Sequence, residues 1–117
     1  MDFTFIFTLS LALIGCSQNY QAQPSELSIA HINENYSQDI MITDGRVVER
    51  SFEVKTNFPS DMGVEVKPIN INDISAYNKL RVEGVPKYKG VYDISISMGF
   101  YGAGDDEFSK AYKFVVD

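Results

Sequence analysis

The sequence predicts an all-β domain built as two facing antiparallel sheets, and three observations predict it. First, Tyr92, Ile94, Ile96, Met98 and Phe100 share one parity while Asp93, Ser95 and Ser97 take the other. That period of two is the signature of a strand with one buried and one wet face. Second, Phe108, Tyr112, Phe114 and Val116 repeat the pattern, and the intervening Tyr101-Gly-Ala-Gly-Asp-Asp-Glu107 carries the glycines and short polar residues that reverse a chain. The stretch from Tyr88 to Asp117 therefore reads as a β-hairpin whose apolar faces need a second sheet to cover them. Third, eight Phe and seven Tyr accompany few helix-patterned segments, a composition that favours strands over helices.

The chain opens on Phe3 to Ile14, an apolar run too short for a membrane-spanning helix of roughly 20 residues but right for a signal-peptide core. Directly after it stands Leu13-Ile14-Gly15-Cys16, which resembles the lipobox of bacterial lipoproteins. The resemblance implies that residues 1–15 are removed as a signal peptide. It also implies that Cys16 becomes the lipidated N-terminus, with its acyl chains (palmitate among them) as the membrane anchor. The residue after it is Ser17 and not Asp, which in enterobacterial lipoproteins directs sorting to the outer membrane. The other reading of these residues is an N-terminal apolar strand that buries a free thiol. Cys16 is the only cysteine, so no disulfide forms within the chain. Residues 16–25 are polar and hold Pro24, the composition of a flexible tether, and the folded domain is expected over residues 26–117.

Within that domain, Leu27, Ile29 and Ile32 hint at a first strand. Asn33 to Asp39 reads as a polar connection, Ile40-Met41-Ile42 as a short edge strand, and Thr43-Asp44-Gly45 as a turn. Alternation over Arg46 to Lys55 predicts a strand, with Arg50 interrupting the apolar parity of Val48, Phe52 and Val54. Asn57 to Gly63 is a connector. Val64 to Ile71 contains Pro68, which disfavours a central place in a sheet. Asn70 to Ser75 opens a brief helical turn. Asn78 to Glu83 reads as a strand with Leu80 and Val82 inward and Lys79, Arg81 and Glu83 outward. Turn signals about every 8 to 12 residues fit a sandwich of six or seven short strands.

The residues Gly84-Val85-Pro86 followed by Gly90-Val91-Tyr92 and an alternating strand resemble the immunoglobulin-like domains of bacterial surface proteins, with Val85 where those carry Thr. Phe58-Pro59-Ser-Asp-Met-Gly63-Val64 loosely matches a second segment of the same family. The resemblance implies an immunoglobulin-like sandwich in which Gly84, Pro86, Gly90 and Tyr92 have structural roles. Physically, a glycine lets the backbone bend into the sheet, and a tyrosine two residues on buries its ring while its hydroxyl caps a loop carbonyl.

Composition and motifs bound the function. Sixteen acidic against ten basic residues give a net charge of -6 without any Lys/Arg cluster, which excludes nucleic acid as a partner of the ordinary kind. His31 is the sole histidine and no Gly-x-Ser-x-Gly elbow exists, so neither a hydrolase triad nor a zinc site of four N/S ligands is expected. Asp105, Asp106 and Glu107 are the densest carboxylates. They are calcium candidates only if another loop such as that of Asp44 adds oxygens, because the ion takes 6 to 8 of them. No cofactor is expected.

The expected role is a non-enzymatic, lipid-anchored binding or accessory module of the bacterial envelope, facing periplasm or exterior. Its partner is a protein or other envelope component met through loops or a sheet edge. Tyr77, Tyr88 and Tyr101 lie beside turns and are the candidate contact residues. Two other roles fit the same residues: an anchored inhibitor of a cationic hydrolase such as lysozyme, for which acidity is suited, and a subunit of an envelope machine or pilus.

Overall fold

The alternation near the C-terminus folds into the longest strand pairing described. In the computed structural model, which describes residues 19–104 and 106–117, strands β6 (Gly90–Gly99) and β7 (Glu107–Val116) pair antiparallel from Gly90 opposite Val116 to Gly99 opposite Glu107. Ile94, Ile96, Met98, Tyr112, Phe114 and Val116 all turn inward and are buried, as the parity predicts. β3 (Glu53–Thr56) joins the other side of β6, completing one sheet in the order β3-β6-β7.

The facing sheet has the order β1-β2-β5-β4, from β1 (Gln21–Gln23), β2 (Tyr36–Thr43), β4 (Val64–Pro68) and β5 (Lys79–Gly84). All pairings within the two sheets are antiparallel. Four strands facing three in this order is the arrangement of the constant-type immunoglobulin sandwich. Ile40, Leu80 and Val82 from one sheet meet Ile94, Ile96 and Phe114 from the other, each 0% exposed, in one continuous core. Pro68 lies at the end of β4, an outermost strand, where its missing N–H costs no ladder bond.

Several sequence expectations are corrected. The proposed tether of residues 16–25 is part of the fold from Tyr20 on. Tyr20 stacks on Phe100 at 3.8 Å between ring centroids, and Ala22 is buried as β1 pairs with β2. Residues 27–32 make no strand. Instead Ala30 bridges to Val116 in parallel, its N–H donating to the Val115 carbonyl at 2.8 Å, which covers the end of β7. The Ile40-Met41-Ile42 strand is longer than expected, beginning at Tyr36, and lies between β1 and β5 and not at an edge. Its first half looks polar because Ser37 and Asp39 face outward, Asp39 being paired with Arg81 across β5 at 2.7 Å. The expected strand over Arg46 to Lys55 is broken. Val47 bridges to Phe100, a 3-10 turn occupies Glu49–Ser51, and only then does β3 begin. Arg50 sits in that turn, so its break in parity marked a departure from the sheet. The helical turn expected over residues 70–75 is a 3-10 turn at Ala76–Asn78.

Two ends follow from this register. The entry end carries Tyr20, the turn after β2, the loop from Ile69 to Asn78 and the β6–β7 loop, where the Tyr101 N–H donates to the Arg46 carbonyl at 2.9 Å. The far end carries residues 31–35, the 57–63 connector, the 85–89 turn and Asp117. The lipobox-like segment Leu13 to Cys16 lies outside the described residues.

Tyr112 ties the first strand to the last. Buried on β7, its hydroxyl donates to the Pro24 carbonyl at 2.7 Å, and burial pushes its pKa up to about 12. An unfolded tyrosine ionises near 10, so stability is complete below that pH and is lost as pH rises through the folded value. The difference corresponds to a loss on the order of 3 kcal/mol at most. Urea titrations at stepped pH are expected to show this decline between about pH 10 and 12. Tyr112→Phe should make this decline shallower while losing about 1 kcal/mol at neutral pH with the hydrogen bond.

Candidate functional site

The residues drawn from the immunoglobulin-like pattern assemble at the far end. Gly90 has φ +148°, and a Cβ there would stand 3.1 Å from the Tyr92 ring, so the glycine lets the ring fold back over its own turn. Tyr92 packs edge-on against Phe58 at 5.6 Å. Its hydroxyl lies 2.9 Å from the Lys89 carbonyl and 3.1 Å from that of Tyr88, one hydrogen shared between two acceptors. This is the geometry of a tyrosine corner at the entry to the sixth strand. Pro86 is fully buried below the turn, and its carbonyl accepts the Asn33 N–H at 2.8 Å. Pro86, Gly90 and Tyr92 together hold this turn in shape.

The three tyrosines chosen as contact residues are not one patch. Tyr88 precedes β6 and Tyr101 follows it. A ten-residue strand at about 3.3 Å per residue therefore separates them by roughly 33 Å. Tyr101 is half exposed at the entry end, where its hydroxyl donates to Glu49 at 2.9 Å and the Arg46 guanidinium lies 4.6 Å from its ring. The bond to Glu49 raises its pKa. Tyr77, also at the entry end, fills the space beside Phe52 at 4.9 Å and adds to the core margin. Tyr88 alone lies at the far end, its hydroxyl donating to Asp61 at 2.8 Å, which raises its pKa in the same way. Val85 and Val91, both exposed, flank it in sequence.

The remaining candidates are placed as follows. His31 is exposed and lies 2.5 Å from the Asp117 carboxylate, with no nucleophile among its described partners. Asp106 and Glu107 are exposed at the entry end, which the Asp44 turn shares, while Asp105 lies outside the described residues. Among the described residues no group of three or more His, Cys, Asp or Glu is placed to hold a metal ion.

Sequence reasoning missed an open depression of about 710 Å³ on the outer face of the four-stranded sheet, near the far end. It is lined by Asn35, Ser37, Ser60, Glu65, Lys67 and Glu83 among others. Lys67 bridges Glu65 and Glu83, each at 3.1 Å, and these bonds raise its pKa, so its charge is held fast. Such a surface suits polar contact with a macromolecule more than enclosure of a small ligand. The only signal of it was the outward parity of Glu65, Lys67 and Glu83; that those carboxylates share one lysine depends on the pairing of β4 with β5.

No family model, no curated protein and no solved structure matches this chain.

Proposed function

We propose that this chain is a lipid-anchored, non-catalytic binding or accessory module of the bacterial cell envelope, an immunoglobulin-like sandwich carried on Cys16 and sorted to the outer membrane. The observation that carries the reading is the Leu13-Ile14-Gly15-Cys16 tetrapeptide. It closes the apolar run from Phe3 and stands four residues ahead of Tyr20 in the sequence, among the first residues with described packing. An apolar leader, a small residue and a cysteine at the threshold of a folded domain suit export followed by acylation. Tyr88, part-exposed at the end of the sandwich remote from Tyr20, is the contact residue this reading assigns.

Mass spectrometry of the mature chain from a bacterial membrane fraction tests this. The expected product lacks residues 1–15 and begins at a Cys16 heavier by its glyceryl and acyl groups. Cys16→Ser should leave the precursor unprocessed at that site. An unmodified chain that still begins at Met1 sinks the reading.

The acidity of the chain, -6 over all 117 residues with only Asp2 of the acidic residues falling in 1–15, favours a second role for the same anchored domain, inhibition of a cationic hydrolase such as lysozyme. Micromolar or tighter inhibition in a cell-wall lysis assay supports it, and unchanged lysis at stoichiometric excess removes it.

A further inference from the structure

The loop between β4 and β5 reverses the usual arrangement of an exposed loop. Its sequence, Ile69-Asn-Ile-Asn-Asp-Ile74, alternates apolar and polar residues, but much of the polar set is turned to the loop itself. Asn70 accepts the Asn72 N–H at 3.0 Å through its side chain, and Asp73 accepts the Ser75 N–H at 2.9 Å and binds Lys79 at 3.0 Å. The isoleucines point outward: Ile71 is 62% and Ile74 71% exposed. Below them, the Ile69 N–H donates to the Lys79 carbonyl and Lys79 stands opposite Met41 in register. Met41 and Ile69, both partly exposed, therefore flank the lysine at the same end of the sheet. The loop thus presents branched apolar side chains to solvent from a backbone shaped by its own polar groups.

The register says what lies there. β1 begins at Gln21 opposite Thr43, and Tyr20 is pinned on Phe100, so the first described residues lie at the end that carries this loop. Only residues 17–19 separate Tyr20 from Cys16, a reach of at most about 14 Å. The loop beyond β4 is three strand spacings from β1 in the same sheet, again about 14 Å. An anchor on Cys16 therefore brings the bilayer surface against this end. Charge does not supply the attraction, since Arg46, Arg50 and Lys79 are outnumbered there by Asp44, Glu49, Asp73, Asp106 and Glu107. Burial of apolar side chains at the acyl boundary of a bilayer without net charge would.

Resting on the lipid-anchor reading above, we infer that Ile71 and Ile74 dip into the boundary between headgroups and acyl chains beside the anchor. They form a second attachment that holds the sandwich upright with Tyr88 directed away from the membrane. A lipid-modified Cys16 leaves no free thiol, so a cysteine introduced at one position is labelled alone. The full lipidated chain carrying Ile71→Cys, Ile74→Cys or Tyr88→Cys is labelled with an environment-sensitive fluorophore and reconstituted into phosphatidylcholine vesicles containing a spin-labelled lipid. Quenching at 71 and 74 is expected to exceed that at 88 by about threefold or more, and to weaken as anionic lipid is added. Equal quenching at all three positions overturns the inference.

Mass spectrometry of the same preparation reports the state of Cys16 independently. Where it proves unmodified, the labels are read in the Cys16→Ser background: quenching at 74 above that at 88 upholds the loop contact without the anchor, and its absence overturns the contact.

Discussion

Gly84→Ala is expected to destabilise the domain by about 3 kcal/mol or more, seen as a urea midpoint far below that of the parent. Gly84 closes β5 between Tyr36 on one side and Val64 on the other, with φ +143°. A Cβ there would lie 1.9 Å from the Gly63 carbonyl oxygen and 2.9 Å from the Val64 Cα. Both obstacles are backbone, so no rotamer relieves the overlap and β4 has to move. That movement breaks the bond from the Val85 N–H to the Gly63 carbonyl, 3.1 Å long, and uncovers Val64. Gly102→Ala is the control. Its φ is +81° but nothing lies within 4 Å, so it carries only backbone strain of about 1 kcal/mol. Equal losses at the two positions would show that close approach at Gly84 does not matter.

Phe114→Ala is expected to cost about 3 to 5 kcal/mol, through lost burial and the cavity left between the sheets. Phe114 is 0% exposed on β7, meets the Tyr36 ring edge-on at 5.0 Å and tilts against Phe58 at 5.5 Å. It thereby joins β7 to β2 and to the connector after β3. These rings cannot collapse into the space, since Tyr36 is held through its hydroxyl to the Ser28 carbonyl at 2.9 Å. Val91→Ala, on the wet face of β6 and 62% exposed, should change stability by no more than about 0.5 kcal/mol. Comparison of the two by equilibrium urea unfolding checks whether the aromatic cluster carries the fold as its burial implies.

Both predictions concern residues visible from sequence to different degrees. Phe114 belongs to an alternation read directly, and the strand it lies on runs where that alternation placed it. Gly84 was singled out through a resemblance. Its physical necessity came from Gly63, twenty-one residues away, whose carbonyl occupies the space where a side chain would stand. The first half of β2 has the sequence of a connection because Ser37 and Asp39 face water and pair with β5. β1 was read as tether because Gln21 and Gln23 flank a single small inward residue, Ala22. Such strands have too little apolar contrast to show a period, and partners found by folding decide them.

The candidate site divides in the same way. Tyr92 was legible as a corner because ring, turn and acceptor carbonyls lie within five residues of one another. Tyr77, Tyr88 and Tyr101 were grouped by their neighbouring turns, but which turn goes to which end is fixed by strand direction. The number of strands between Tyr88 and Tyr101 is one, so they part to opposite ends.

The residues alone determined the two-layer β class, the long C-terminal hairpin and its inward face, since side-chain alternation is a local property of the chain. The tertiary structure decided that Gln21–Gln23 pair as a strand, which strands are interior, and that the exposed isoleucines of the 69–74 loop share an end with Tyr20. Those are outcomes of pairing between distant segments, set by the burial of both sheets at once and carried by no short stretch of sequence.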